Sequence, residues 1–253
     1  MRLENKVAII TGSARGMGRA FARRFAREGA KLTVCDVHDC TPVAEEIKAG
    51  GGEALALRVD VTSEKDTAEM ARKTAERFGR IDILVNNAAV IGGIEANNFI
   101  TPVEELVAAD WDRMLAVNVK GVFLCSKAVI PYMKKQGGGK IVNIASTTAF
   151  TGRPEFLHYS TSKGGVVTMT RGLATHLGDF NINVNAVAPG LVMTEAMQAA
   201  VPKEEAREVV AGQLLKKPIQ PEDIAAAVLF LASDEANMIT GEIVAINAGE
   251  YLL

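Results

Sequence analysis

Short apolar runs alternate with longer stretches of helical period along the whole chain. Residues 7–10, Val-Ala-Ile-Ile, form an unbroken apolar run. Such a run reads as a strand covered on both faces, the habit of parallel sheets. In the next stretch Ala20, Phe21, Ala22, Phe25 and Ala26 interleave with Arg19, Arg23, Arg24 and Arg27, which predicts an amphipathic helix. Residues 31–36 predict a second strand, 42–49 a helix stopped by three glycines, and 54–59 a third strand. Ser63-Glu64-Lys65-Asp66 has the form of a capping box; the helix it opens reaches Phe78 and closes at Gly79. Further strands are predicted at 81–85, 140–145, 182–188 and 242–246. Helices are predicted at 103–118, 121–133, from about 159 to 177, and at 221–231 with Pro221 in the first turn. Strands alternating with helices of about 10–15 residues predict an α/β fold, a doubly wound sheet of about seven parallel strands with helices on both faces. One domain is expected over residues 1–253, and the charged, flexible-looking stretch at about 191–217 reads as a lid over a ligand cleft.

The junction between the first strand and first helix is Gly12-Ser13-Ala14-Arg15-Gly16-Met17-Gly18. Glycines in a strand-to-helix turn let the backbone approach a pyrophosphate, and the helix N-terminus offers free N–H groups and a positive dipole end. A plain tight turn is the blander alternative. Asp36 follows Gly16 by 20 residues and ends the second strand. An acid there binds a ribose 2′-hydroxyl and repels a 2′-phosphate, which favours NAD over NADP. Arg15 points the other way, as a holder of that phosphate. Asp36 weighs more because it would sit directly against the 2′ position. Asp60, at the end of the third strand, is placed to accept a hydrogen bond from an adenine amino group.

Tyr159 and Lys163 are four residues apart, so on a helix they share one face. A free tyrosine, with a pKa of about 10, is a poor base near neutrality. A fixed positive charge beside it is expected to lower that value and suit it to proton exchange with an alcohol or ketone oxygen. Most pairs at this spacing are ordinary exposed helix pairs, so the rest of the chain has to decide.

Composition narrows the classes. The 28 basic and 30 acidic residues are interspersed and leave a net charge of −2, so no nucleic-acid partner is expected. Apolar runs fall short of the roughly 18 residues of a membrane span, and the N-terminus lacks a signal-peptide pattern; no membrane partner is expected. Cys35, Cys40 and Cys125 show no metal-ligand spacing, so no metal is expected, and a reducing, cytoplasmic setting fits.

Taken together, Thr11-Gly12-x-x-x-Gly16-x-Gly18, Asp60, Asn86-Asn87-Ala88, Asn118, Ser146, Tyr159-x-x-x-Lys163 and Pro189-Gly190-x-x-x-Thr194 resemble the short-chain dehydrogenase/reductase family over essentially the whole chain. The resemblance implies a Rossmann-type fold and hydride transfer between NAD(H) and a secondary alcohol or ketone. It implies Tyr159 as general acid/base. Lys163 would hold the nicotinamide ribose and keep Tyr159 acidic, Ser146 would bond the substrate oxygen, and Asn118 would hold a proton-relay water. Gly12, Arg15, Gly16, Met17 and Gly18 would cradle the diphosphate. Asp36, Asp60 and Val61 would take the adenosine half, Asn87 and Ala88 the central ribose. Pro189, Gly190, Val192 and Thr194 would lie at the nicotinamide carboxamide. Homotetramers, or homodimers, are the implied assembly.

Two features depart from the family pattern. Ala89 stands where glycine is more usual, which either narrows the cofactor approach or merely requires a negative φ. The segment 90–102 is longer than usual and reads as a loop bordering the pocket. Thr148, Phe150, Arg153, Pro154, Phe156 and His158 fall between Ser146 and Tyr159 and are expected near the substrate, with Thr148, Arg153 and Phe156 as its contacts. Phe150 and Phe156 favour an apolar or ring-bearing substrate, and Arg153 an anionic group or merely a surface position. His158 points about 100° away from Tyr159 on a helix. Met193 and Met197 begin the lid, and the apolar tail 251–253 is expected to pack on another subunit. Three rivals stay open: an NADPH-dependent 3-oxoacyl carrier-protein reductase, a non-catalytic NAD-binding regulatory protein, and a methyltransferase.

Overall fold

The computed structural model describes residues 1–92, 102–152 and 156–252. Seven parallel strands form one sheet in the order β3-β2-β1-β4-β5-β6-β7: β1 Val7–Thr11, β2 Lys31–Asp36, β3 Ala54–Arg58, β4 Ile83–Asn86, β5 Gly139–Ile144, β6 Ile182–Pro189 and β7 Ile243–Ile246. Every residue of β1 and β4 is buried, as their unbroken apolar runs require of central strands. The winding runs outward from β1 to β3, then returns to β4 on the other side of β1. That reversal opens a crevice at the carboxyl ends of β1 and β4, where ligands of such sheets bind.

One face of the sheet is covered by α1 (Gly16–Arg27), α2 (Thr41–Ala49) and α10 (Pro221–Ala232). Phe21 and Phe25 of α1 are fully buried against the same core as Ile224, Val228 and Leu229 of α10. Each such side chain contributes about 1.5–3 kcal/mol by leaving water. The other face is covered by α3 (Glu64–Phe78), α4 (Ala108–Leu115), α5 (Gly121–Gln136) and α7 (Leu157–Leu177), with short α6 (Thr148–Thr151) leading into α7. A buried polar chain ties α5, β4, β5 and α7 together. Asn86 Nδ2 donates to Ser126 Oγ at 3.1 Å and to Asn143 Oδ1 at 2.9 Å, and Asn143 Nδ2 donates to Thr170 Oγ1 at 2.9 Å. It fixes α7 on the sheet through directional contacts rather than apolar packing alone.

Three local readings change. The box at Ser63 is half formed: Ser63 Oγ caps the Asp66 N–H at 3.2 Å and donates to Asp66 Oδ1 at 3.0 Å, but Asp66 Oδ2 accepts from Asp60 N at 3.2 Å rather than from the Ser63 N–H. The N–H of Ser63 is already taken by the carbonyl of Asp60. The two helices expected at 103–118 and 121–133 are joined by a π turn, Ala116–Lys120, into one helix over Ala108–Gln136. Its apolar content would suit a membrane span by length and composition, yet α5 packs on α3, β4 and β5, so it serves as a sheet-covering helix. The stretch read as flexible is ordered as α8 (Glu195–Ala200) and α9 (Lys203–Gly212). Thr194 caps α8, accepting the Met197 N–H at 3.3 Å, a start signal hidden by the surrounding charges.

Candidate active site

Tyr159 lies in the first turn of α7 and Lys163 one turn later on the same face. β5 ends at Ile144, which carries Ser146 to the crevice, where its side chain is hydrogen-bonded to the Tyr159 hydroxyl. Ser146 Oγ also accepts from Thr148 N at 3.2 Å and Thr148 Oγ1 at 3.0 Å, which sets its rotamer. Lys163 is 3% exposed, and its Nζ donates to the Ile144 carbonyl at 2.8 Å. That nitrogen stands 5.6 Å from the centre of the Tyr159 ring.

The expected lowering of the tyrosine pKa is not what this arrangement produces. Burial pushes Tyr159 up to about 12, and the hydrogen bond from Ser146 only partly opposes it. Burial also pulls Lys163 down to about 8, because an ammonium loses hydration there. Desolvation outweighs the charge of a lysine turned towards a carbonyl. Tyr159 is therefore a protonated acid at neutral pH in this state.

Asn118 sits in the π turn, fully buried, next to the cleft rather than in its wall. Its amide clamps the backbone of Val90: Oδ1 accepts from Val90 N at 2.8 Å and Nδ2 donates to Val90 O at 2.8 Å. Nδ2 also lies 3.1 Å from Ser162 Oγ. The side chain is thus committed to holding the root of the 90–102 segment.

The glycine turn is braced from behind. Gly12 has φ +66° and a Cβ there would lie 2.7 Å from Ala88 Cα, so only glycine fits. Asn87 Nδ2 donates to the carbonyls of Thr11 at 2.9 Å and Gly12 at 3.0 Å, while Thr11 Oγ1 accepts from Asn87 N and Ala88 N. Gly18 corrects the expectation of direct cradling. It does not line the cleft, and a Cβ on it would stand 2.1 Å from the Gly12 carbonyl, so its job is to let α1 pack on the turn. Arg15 makes no side-chain cap on α1 and the helix has no acid of its own in the first turn; the Glu195 carboxylate of α8 takes the Gly16 N–H, and the other N–H groups are left to receive an anion.

These parts wall one cleft of about 910 Å³. Gly12, Arg15, Gly16 and Met17 line it, with Asp36, Asp60 and Val61 at one end and Asn87 and Ala88 midway. Asp36 Oδ2 accepts from Ala14 N at 3.2 Å and Oδ1 from His38 N at 3.1 Å, so its carboxylate is held by backbone at the β2 terminus. Asp60 Oδ1 accepts from Thr62 N at 2.9 Å and Thr62 Oγ1 at 2.8 Å. At the other end Ser146, Thr148, Phe156, Tyr159 and Lys163 face Pro189, Gly190, Val192 and Thr194. Thr147 N donates to the Pro189 carbonyl at 3.0 Å, joining the β5 and β6 ends. A dinucleotide fits this shape: a receptive helix N-terminus between an acid at β2 and a hydroxyl pair at β5.

Phe150 is 41% exposed and does not line the cleft, and His158 is buried outside it. Ala89 lines the cleft without a positive φ. Val90, Ile91 and Gly92 also line it, while the rest of the longer segment, residues 93–101, and the expected contacts Arg153 and Pro154 lie outside the described residues. Sequence reasoning missed Arg113, Glu205, Glu250 and Tyr251, all in the cleft wall. Of the tail, Glu250 and Tyr251 turn back to line the cleft of their own chain, while Leu252 beyond them is exposed. Asn247-Ala248-Gly249 was the available turn signal for that return.

A family model described as enoyl-(acyl carrier protein) reductase matches residues 12–250. A 3-oxoacyl-[acyl-carrier-protein] reductase of Thermotoga maritima is 39% identical, covering 98% of this chain and 99% of the relative. The crystal structure of levodione reductase superposes with a TM-score of 0.90 at 35% identity, covering 98% of each chain. A 7α-hydroxysteroid dehydrogenase complexed with NADH and 7-oxo glycochenodeoxycholic acid superposes with a TM-score of 0.92 at 36% identity, covering 98% of this chain and 95% of the other. Its sequence and its fold together place the chain in the short-chain dehydrogenase/reductase family of oxidoreductases, which use nicotinamide cofactors.

Proposed function

We propose that the protein is an NAD(H)-dependent secondary-alcohol dehydrogenase and ketone reductase acting on an apolar or ring-bearing small molecule. The observation that carries this reading is the convergence of Ser146, Tyr159 and Lys163 at one end of a cleft whose other end holds Asp36. Bound nicotinamide supplies the hydride acceptor or donor. Tyr159 delivers a proton to the carbonyl oxygen during reduction and takes it back during oxidation. Ser146 donates a hydrogen bond to the same oxygen as charge grows on it, a contribution of a few kcal/mol at the transition state. Lys163 holds the ribose hydroxyls and, once turned from Ile144, stabilises the phenolate. Asn118 positions the relay towards solvent. Asp36 faces the 2′-hydroxyl and rejects a 2′-phosphate by like charge. Helices α8 and α9 act as the lid, and the cytoplasm is the setting.

A second reading, an NADPH-linked 3-oxoacyl carrier-protein reductase, is favoured by Arg15 in the cleft and by the Thermotoga maritima relative. Assays at 340 nm decide: NAD with secondary alcohols and NADH or NADPH with ketones, against NADPH with acyl thioesters. Turnover with NAD(H), lost by at least about 100-fold in Tyr159→Phe with NADH binding retained, is expected. Rates confined to NADPH and thioesters would replace the first reading by the second. NADH binding without turnover of any substrate would leave a regulatory protein.

A further inference from the structure

The turn after β7 is built to carry a side chain into the site. Asn247 is 6% exposed; its Oδ1 accepts from Gly249 N at 3.0 Å and its Nδ2 donates to Tyr251 O at 2.7 Å. Glu250 N donates to Asn247 O at 2.9 Å. Ala248 and Gly249 both take positive φ, 53° and 78°, and Leu215 N donates to Ala248 O at 2.9 Å. A Cβ on Gly249 would meet three Leu214 atoms at 2.8 Å. The tail is thus pinned both to itself and to the chain leaving α9. Held this way, Glu250 places Oε2 3.4 Å from where a Gly190 Cβ would be, and Glu250 and Tyr251 wall the cleft.

The strand order says which ligand this wall meets. Asp36 and Asp60 mark the adenosine end at β2 and β3, and Ser146 and Tyr159 the reacting centre at β5. Glu250 follows β7, beside Gly190 and on the side of that centre opposite the adenosine end, so it faces what lies beyond the reacting centre rather than the adenosine half. Strands are spaced about 4.8 Å apart, which puts the ends of β5 and β7 roughly 10 Å apart. Glu205 of α9 lines the cleft as well. A carboxylate accepts up to about four hydrogen bonds, so partners within the protein leave it able to take another from a ligand.

We propose that Glu250 is a specificity-determining residue that accepts a hydrogen bond from a hydroxyl or ammonium group at the distal end of the substrate, with the Tyr251 ring as the adjoining wall. The substrate class is then a neutral or cationic ketone or alcohol, bicyclic or comparable in length, with a remote donor. This inference rests on the oxidoreductase reading above.

The test uses bicyclic ketones alike except for the distal substituent: hydroxyl, methyl, ammonium or carboxylate. They are assayed with NADH and NADPH in the wild type, Glu250→Gln and Glu250→Asp. A charged hydrogen bond of this kind separates hydroxyl from methyl by about 10–100-fold in kcat/KM. That ratio should fall at least several-fold in Glu250→Gln and recover in part in Glu250→Asp. The carboxylate compound should gain in Glu250→Gln, with NADH affinity and Tm within error of wild type. Turnover of the panel with selectivity unchanged in Glu250→Gln would overturn the role of Glu250 alone. No turnover by the wild type, despite NADH binding, would overturn the oxidoreductase reading and this one with it.

Discussion

Lys163 shows how one side chain serves chemistry against stability. Burial lowers its pKa to about 8, so below that pH the fold carries a desolvated ammonium held by one carbonyl. In the unfolded chain the same group titrates near 10.4, so between about pH 8 and 10 the unfolded state binds more protons and stability rises with pH. Lys163→Met removes that burden. The variant is expected to be more stable than wild type at pH 7 by about 1–3 kcal/mol, with the gap closing as the pH passes from 8 to 10, and to be inactive. Denaturant melts at pH 7, 8.5 and 10 read the gap; a variant less stable than wild type at pH 7 would contradict it. Tyr159, held up at about 12, suits reduction at neutral pH; alcohol oxidation should instead rise with pH, which kcat/KM profiles in both directions will read.

The elements meet at places where single atoms decide packing. Gly18→Ala would put a Cβ 2.1 Å from a backbone carbonyl, so α1 must lift from the glycine turn. A loss of about 3 kcal/mol is expected, lowering Tm by roughly 6–12 °C and weakening NADH binding. Gly172→Ala, in the middle of α7 with nothing within 4 Å of the new methyl, should change stability in the other direction. A gain of about 0.5–1 kcal/mol is expected, since α7 already demands helical backbone there. Two melting curves test both signs. Across the cleft, Glu195 at the start of α8 pairs with Arg19 of α1. The pair is partly exposed, so Glu195→Gln should cost at most about 1 kcal/mol of stability. It should nevertheless raise the dissociation rate of NADH, read by stopped-flow fluorescence, if α8 holds the cleft closed.

At the scale of the molecule, the helix over Ala108–Gln136 contains an apolar stretch of 18 residues, yet under half of that stretch is buried in the single chain. Phe123 on it is 46% exposed and Val107 beside its start 56%. A surface of this kind on a water-facing helix suits association with further copies. Light scattering after size exclusion is expected to give a homotetramer, or a homodimer; a stable monomer would refute it. The seven-stranded order also sets the two walls of the cleft: the ends of β1 to β3 supply one, and the ends of β5 to β7 with the tail supply the other.

The fold, and the pairing of Tyr159 with Lys163, are legible in the chain read alone. Buried parallel strands must be apolar throughout, a glycine turn must sit between β1 and α1, and four residues on a helix bring Tyr159 and Lys163 to one face. These are local constraints, legible in runs and spacings of a few residues. Tertiary structure alone decided the rest. It turned Lys163 towards Ile144 and raised the tyrosine, because desolvation depends on everything packed around the group. It set Gly18 against Gly12 and spent the Asn118 amide on Val90, since both contacts join distant or non-adjacent segments. It brought Glu250 from the chain's end into the cleft, where no spacing in the sequence relates it to Ser146.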